Sequence, residues 1–592
     1  MSEIDVMRAQ LSAPGITLTR TLATVDALER LLADARRVRI GISANVSIDL
    51  LATYLRKHAV LAGAHAEVRM GNHDDALTDI EQFVADGVEH LVLLSFFDNL
   101  MPGFERHIEL MSEEEIAAKE RDLLARWRLV FDTARPLRQL YVCSFHRYGD
   151  AVDTGSVDAA DAAMERLNAL LRNEAAAHSN VRMINTQTIV QLLGAEACFD
   201  KRFYLRGTAP YAQPFANELA RRIVTAARGF NGWFYKALVL DCDNTLWGGI
   251  IGEDLLGGIQ LDPHSYPGKV YWRAQQEFLS LERQGVLLCL NSKNNAADVD
   301  EVLEQHPFAV LRHEHIAARK VNWTDKVSNL RAIAEELNIG LDSLVFIDDS
   351  DFECEAVRNA LPMVRVFQVP KALSEYAGVV KEIRELFLAG GVSVESRSKT
   401  AQYRQRQAAI ESSAKFATQE EYLASLDLRV QVVRDDRANV PRISELTLKS
   451  NQFNLTTLRQ SPAEIQQRME GDSGTVYSLT VLDRFGSAGL TGVALVSWDA
   501  EVARLDAFLM SCRVIGRGVE FCFWPLIVDD AKQLGCLYFE AEYRPTNKNA
   551  QVADFCERLG LEPRVGVDGV KRYRAALDDL KPPPNDWIKV IE

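Results

Sequence analysis

At 592 residues the chain is longer than one hydrophobic core can serve, and three or four domains are expected. Its 67 Lys and Arg against 83 Asp and Glu give a net charge of −16, which excludes generic binding to nucleic acid or anionic membrane. The nine cysteines are scattered, none in a CxxC pair, and no apolar run nears the ~18 residues of a membrane span. With an acidic start, MSEIDVMRAQ, in place of a secretory signal, the expected compartment is a reducing cytoplasm.

In chain order, the first segment (1–228) alternates short apolar runs with helical patterns. RVRIGIS (37–43), AEVRM (66–70), HLVLLSF (90–96), LRQLYVCSF (137–145) and NVRMINT (180–186) predict strands, with helices between them. Such alternation predicts a parallel sheet covered on both faces. The second segment (229–393) begins with the apolar run KALVLDCDNTLW. A Gly-rich stretch, a helix over 268–284 and the strands VLLCLNS (286–292) and SLVFIDD (343–349) follow. It is again a doubly wound, Rossmann-like pattern. A polar stretch near 394–420 leads into a third segment (394–592) that mixes strands (LRVQVVRD, GTVYSLTVLD, LTGVALVSWD, CLYFEAEY) with helices, an α+β pattern.

The chemistry concentrates in the middle segment. Asp241 and Asp243 end one apolar strand, and in extended backbone they share a face. Two adjacent carboxylates repel, and a divalent cation relieves them. Asp348 and Asp349 end another strand and could complete an all-oxygen site, which favours Mg²⁺. Ser292, at the end of a third strand, and Lys326, opening a predicted helix, could hold a phosphate against that ion. Lys320 competes with Lys326, and Thr245 and Asn291 are further expected substrate contacts. Each acidic pair alone reads as an ordinary strand-end turn; the ordered set does not.

These residues resemble the haloacid dehalogenase superfamily. The string DCDNTLWGGIIGED, together with LKSNQFNLTT (448–457) and YRPTNKNAQVADFCERLGL (543–561), resembles the FkbH-like family more closely. That resemblance implies an acyltransferase that takes a glyceryl unit from 1,3-bisphosphoglycerate, releases phosphate and loads an acyl carrier protein for polyketide-type biosynthesis. It also implies Asp241 and Asp243 as motif aspartates, Ser292 and Lys326 as phosphate contacts, and Asp348 with Asp349 as the second metal-side pair.

Cys242, between the two aspartates, stands as the candidate thiol for an enzyme thioester. Against that, strand alternation points residue 242 to the packing face, and flanking carboxylates raise a thiol's pKa. A small buried hydrophobe is the competing reading. The stretch 245–261 reads either as a flap with Trp247 shielding the site or as a plain Gly-rich hairpin.

The third segment resembles the GNAT fold. Arg513, Gly516 and Gly518 form an R-x-x-G-x-G pattern at a strand-to-helix junction, suited by analogy to a carrier's phosphopantetheine arm or to coenzyme A. Asn451, Asn547 and Asn549 are candidate polar contacts, and Cys512 is a rival thiol. The first segment weakly resembles an SGNH-hydrolase-like, flavodoxin-type module. Ser43 and Asn45 stand where its nucleophile region would be, but Asp200 lacks a histidine three residues on, so a degenerate interaction module is expected. His146 is expected to be structural or exposed. Two other functions remain open: a Mg²⁺-dependent phosphatase beside a separate N-acetyltransferase, and a non-catalytic assembly protein.

Overall fold

The computed structural model describes all residues except 1–2, 14, 33–34, 149–157, 179, 229–234, 388–399, 401, 404–418, 451, 485, 512–513, 547–548, 565–568 and 592. The chain divides into two compact units, Met1–Arg228 with Ser461–Glu464, and Gly229–Gln460 with Ile465–Glu592.

In the first unit the five apolar runs form β1 (Arg37–Ala44), β2 (His65–His73), β3 (His90–Leu94), β4 (Gln139–Cys143) and β5 (Val181–Ile184). They pair in the order β2-β1-β3-β4-β5, all parallel. Every residue of β3 and β4 is buried, as a sheet with helices on both faces demands. Leu51, Tyr54, Phe215 and Leu219 cover one face, and Ile80, Phe83, Val130 and Leu167 the other.

The second unit opens with another parallel sheet: β6 (Ala237–Leu240), β7 (Leu287–Ser292), β8 (Ile316–Val321), β9 (Leu344–Asp348) and β10 (Arg365–Gln368), in the order β10-β9-β6-β7-β8. From β6 the chain winds outward through β7 and β8, then returns to β9 and β10 on the other side. The reversal leaves a crevice at the carboxyl ends of β6 and β9, where open α/β sheets place ligands. Phe278, Leu281, Val299 and Ile383 pack on one face, and Leu330, Ile333 and Val357 on the other. The two edge strands β8 and β10 escape the apolar-run reading because charged or polar residues such as Arg319, Lys320, Arg365 and Gln368 lie within them.

The remainder is a mixed sheet of nine strands: β11 (Leu428–Arg434), β12 (Phe453–Asn454), β13 (Gly474–Asp483), β14 (Gly486–Asp499), β15 (Val502–Met510), β16 (Tyr538–Tyr543), β17 (Glu562–Arg564), β18 (Lys571–Ala576) and β19 (Ile588–Ile591). β13, β14 and β15 form an antiparallel meander. β15 runs parallel to β16 over Val502–Leu505 only; further along, Phe453 and Asn454 of β12 pair with Met510 and Leu509. The architecture is multidomain α/β with parallel sheets, as the sequence predicts. Most of the polar stretch near 394–420 lies outside the described residues.

Candidate active site

Three strand ends meet in the crevice of the second sheet. Asp241 follows β6 directly, Ser292 closes β7 and Asp348 closes β9. The helix Lys326–Glu336, capped by the Asp325 side chain on Ser328 N, brings the Lys326 side chain beneath them.

Lys326 Nζ donates to Asp241 Oδ1 and Asp348 Oδ2, each at 2.5 Å. Ser292 Oγ donates to Asp241 Oδ1 at 3.0 Å, and Thr245 Oγ1 stands 3.5 Å from Oδ2. One oxygen from each of Asp241, Asp348 and Asp349 lies within 4.8 Å of the others. Burial raises the pKa of all three. For Asp348 the charge of Asp241 adds to burial and pushes the value up to about 6; for Asp349 the charge of Asp348 adds likewise. Burial alone would lower the pKa of Lys326, but Asp241 and Asp348 outweigh it and hold the ammonium charged. Three carboxylates against one lysine leave two negative charges in a poorly solvated crevice. A hard divalent cation ligated by oxygen fits that charge and that donor set.

Asp243 has a different setting from the one expected. Its Oδ1 accepts from Trp247 Nε1 at 2.9 Å and Ile251 N at 3.1 Å, and its Oδ2 from Asn294 Nδ2 at 2.9 Å. β6 ends at Leu240, and Asn244 takes a positive φ of 51°. The extended backbone that would align the 243 and 241 side chains therefore stops short, and the Asp243 carboxylate ties down the following turn instead. Trp247 is likewise no lid: it is fully buried in the core, and Ile251–Gly258 is two helical turns broken at Leu255, whose φ is 59°.

Cys242 is also fully buried, packed among Leu240, Leu246 and Phe278. Burial, then the charges of Asp241 and Asp243, push its thiol pKa well above the usual range, although Ser292 opposes them. As placed it is a packing residue, not a ready thiolate. Asn291 was expected to touch substrate, yet its Nδ2 donates to Lys326 O at 3.0 Å and its Oδ1 accepts from Asn329. It positions the lysine helix from a wholly buried site. Lys320 pairs with Glu336 at 2.7 Å and leaves the aspartates to Lys326.

The sequence reading missed Asn294, which joins Asp243 to Ser292 Oγ (3.1 Å), and Tyr376, whose hydroxyl donates to Thr245 O at 3.1 Å. Asn294 lies two residues past a strand-end serine, a local signal that could have been used. Tyr376 lies 131 residues from its partner and gives none.

In the third segment, Gly516 and Gly518 have φ of 83° and 82° and line a cavity of about 650 Å³. Asn549 does not face a ligand. Its Oδ1 accepts from Thr546 N, and its Nδ2 donates to Asn454 O and Arg544 O, both at 2.9 Å, which clamps the loop. Asn451, Asn547, Arg513 and Cys512 lie outside the described residues.

In the first unit, Ser43 Oγ donates to the buried Asp79 at 2.6 Å, and Asn45 bonds the Phe96 backbone at both ends of its amide. His146 is buried between Thr186 Oγ1 and Tyr211 Oη, and Asp200 caps the helix Lys201–Gly207. No histidine attends Ser43 through any hydrogen bond shown among the described residues.

Fold and crevice together define an α/β protein whose central domain has the haloacid dehalogenase-type fold, with an acidic site at its strand ends. No family model matches the chain, and no curated protein matches it. Among solved structures it is similar to the N-terminal part of the protein BF1531 from Bacteroides fragilis, described as containing a phosphatase domain complexed with Mg. That likeness has a TM-score of 0.55 and 22% identity, over 66% of this chain and 100% of the other. A quarter of the chain overlays the ribosomal-protein-S18-alanine N-acetyltransferase from Escherichia coli, at 13% identity over 94% of that chain and a TM-score of 0.21. A putative GNAT-family acetyltransferase from Desulfovibrio desulfuricans does so at 16%, over 99% of that chain, with the same score. Among the described residues no helix is long and apolar enough to cross a membrane.

Proposed function

We propose that the protein is a Mg²⁺-dependent enzyme acting on an acyl phosphate of the 1,3-bisphosphoglycerate type, whose glyceryl unit passes to the pantetheine thiol of an acyl carrier protein. The observation that carries this reading is the Asp241–Asp348–Asp349 group bridged by Lys326. Supporting it are the resemblance of DCDNTLWGGIIGED to FkbH-like proteins and the Mg-bound phosphatase domain of the BF1531 fragment.

Asp241, Asp348 and Asp349 would hold the metal, which when bound neutralises phosphate charge and polarises the acyl phosphate. Lys326 adds a fixed positive charge, and the Ser292 hydroxyl is in place to turn towards a phosphate oxygen. The burial of Asp241, Asp348, Lys326 and Ser292 limits water, which would otherwise hydrolyse both donor and product. In the transfer step a thiolate attacks the acyl carbon and the carbon–oxygen bond breaks. Phosphate leaves with the bridging oxygen, and the thiol's proton goes to solvent. The carrier then holds a 3-phosphoglyceryl thioester, which becomes glyceryl only when water hydrolyses the C3 phosphate ester and releases a second phosphate. Because Cys242 is buried and its thiol held protonated, we assign the attack to the carrier's own thiol.

The test is intact-mass analysis of holo carrier proteins after incubation with enzyme, Mg²⁺ and fresh 1,3-bisphosphoglycerate. A glyceryl or 3-phosphoglyceryl gain that is lost in Asp241→Asn and kept in Cys242→Ala supports the reading. Loss in Cys242→Ala would restore a thioester on that cysteine. Phosphate release with every carrier unmodified would sink acyl transfer.

A second reading, a phosphatase, is favoured by Asp241 itself. Lys326 and Ser292 both bond its Oδ1, while Oδ2 has only the long Thr245 contact and could attack phosphorus.

A further inference from the structure

We propose that Lys293 is a substrate-binding residue, the counter-ion for a second phosphate at the far end of the donor, and that Glu353 holds its ammonium group until that phosphate arrives. This rests on the acyl-phosphate reading, and the experiment below separates the failure of one from the failure of the other.

The donor of that reading carries two phosphates, and the cluster at Asp241 has charge for one. Lys326 is already shared between Asp241 and Asp348, and a divalent cation there would balance the remaining carboxylates. Lys320 is taken by Glu336, and Lys371, past the edge strand β10, is 90% exposed beside Asp351. That leaves Lys293, which directly follows Ser292, the residue whose hydroxyl bonds Asp241.

The direction of the Lys293 side chain is fixed by its partner: Nζ donates to Glu353 Oε1 at 2.6 Å. Glu353 lies in the first turn of the helix Asp351–Ala360, which follows β9, whereas Lys293 leads from β7 into the helix Ala296–Gln305. Strands β7 and β9 flank β6, and Val299 and Val357 of the two helices pack on opposite faces of the sheet. The ion pair therefore crosses the carboxyl end of β6, at the mouth of the Asp241 crevice. The Ser328 N–H and hydroxyl hold the Asp325 carboxyl below the ordinary carboxylate range, and the Lys293 charge adds to them. The ammonium thus also lies near the start of the Lys326 helix.

This pair is suited to exchanging partners. The Lys293 side chain is 35% exposed and that of Glu353 13%, so the cation meets solvent while the carboxylate lies back. Lysine has a flexible stem and three rotatable donors, and can turn from one oxygen anion to another. A phosphate dianion at the mouth carries more charge than the carboxylate and competes with it for the ammonium.

Titration calorimetry of the full chain with Mg²⁺ tests this with two stable probes. Pentane-1,5-bisphosphonate has the donor's spacing with carbon in place of the bridging oxygens, and pentylphosphonate lacks the second charged group. The wild type is expected to bind the bisphosphonate at least about tenfold tighter. Lys293→Met should remove that preference and leave pentylphosphonate binding unchanged. Glu353→Gln, which frees the lysine, should tighten the bisphosphonate alone, whereas a strut that merely braced the mouth would be weakened by either substitution. Equal binding of the two probes, a preference that survives Lys293→Met, or bisphosphonate binding that is not tighter in Glu353→Gln overturns this proposal and leaves the acyl-phosphate reading standing. If neither probe binds, both fall. Should Lys293→Met fail to fold, the wild-type comparison and Glu353→Gln still decide.

Discussion

Lys326 is the residue on which the central site depends. Only 4% of its side chain is exposed, and it is the cation that bonds both Asp241 and Asp348. Replacing it by methionine leaves two buried carboxylates facing each other, a change that costs ~3–5 kcal/mol. Lys326→Met should therefore lower the melting temperature in metal-free buffer, and added Mg²⁺ should recover part of the loss. A calorimetric scan with and without the ion checks this; unchanged melting would show the bridge to be dispensable. Phosphate release by the same variant should fall at least ~100-fold, since a charge aimed at the phosphate is lost. Asp348→Asn should weaken Mg²⁺ binding, read by titration calorimetry, and leave the fold intact. By contrast, Cys242→Ala removes a packed sulfur and should cost only ~1–2 kcal/mol, with phosphate release retained.

At the scale of elements, the parallel strands were legible because both their faces are buried and their sequences are continuous apolar runs. That placed Asp241, Ser292 and Asp348 at strand ends, where the structure has them. What alternation could not reveal is where β6 stops. The strand ends at Leu240, three residues before Asp243, so the Asp243 carboxylate ties down the following turn and joins Ser292 through Asn294, and Trp247 is a core residue. Strands β8 and β10 were hidden by charged edge positions, and β12 by its two-residue length. Asn291 and Asn549 were read as ligand contacts because buried amides clamping a backbone look the same in sequence as amides facing a substrate. At Gly518, alanine would meet both an adverse φ and the Trp587 ring, whereas at Gly516 it would meet only the φ. Gly518→Ala is therefore expected to destabilise by ~1–2 kcal/mol more than Gly516→Ala in thermal unfolding. Equal effects would show that the ring yields.

For the whole molecule, the two units should differ in acid. His58, His90 and His146, all in Met1–Arg228, are held by burial at about 4, 3 and 4, below the ordinary 6.5. The unfolded chain thus binds protons that the folded unit refuses. Stability is full above pH 6.5 and falls as pH drops towards the folded values, by roughly 2 kcal/mol per histidine at pH 5. Burial lowers His306 and His315 of the second unit as well. Scanning calorimetry at pH 7.5 and 5.0 should therefore show melting move down, most for the first unit with its three strongly lowered histidines. In His146→Gln that shift should shrink; an identical shift would remove His146 from the account.

The central claim is that the acyl carbon, not phosphorus, is attacked. The most direct test runs the reaction with holo carrier in ¹⁸O-water and weighs the phosphate released in step with carrier acylation. Attack at carbon leaves the bridging oxygen on phosphate, so one unlabelled phosphate is predicted per carrier acylated, apart from any labelled phosphate released by hydrolysis of the C3 ester. A phosphoaspartate formed on Asp241 would be opened by water at phosphorus. Labelled phosphate alone, with no unlabelled phosphate matching the carrier acylated, would contradict acyl transfer and make the protein a phosphatase.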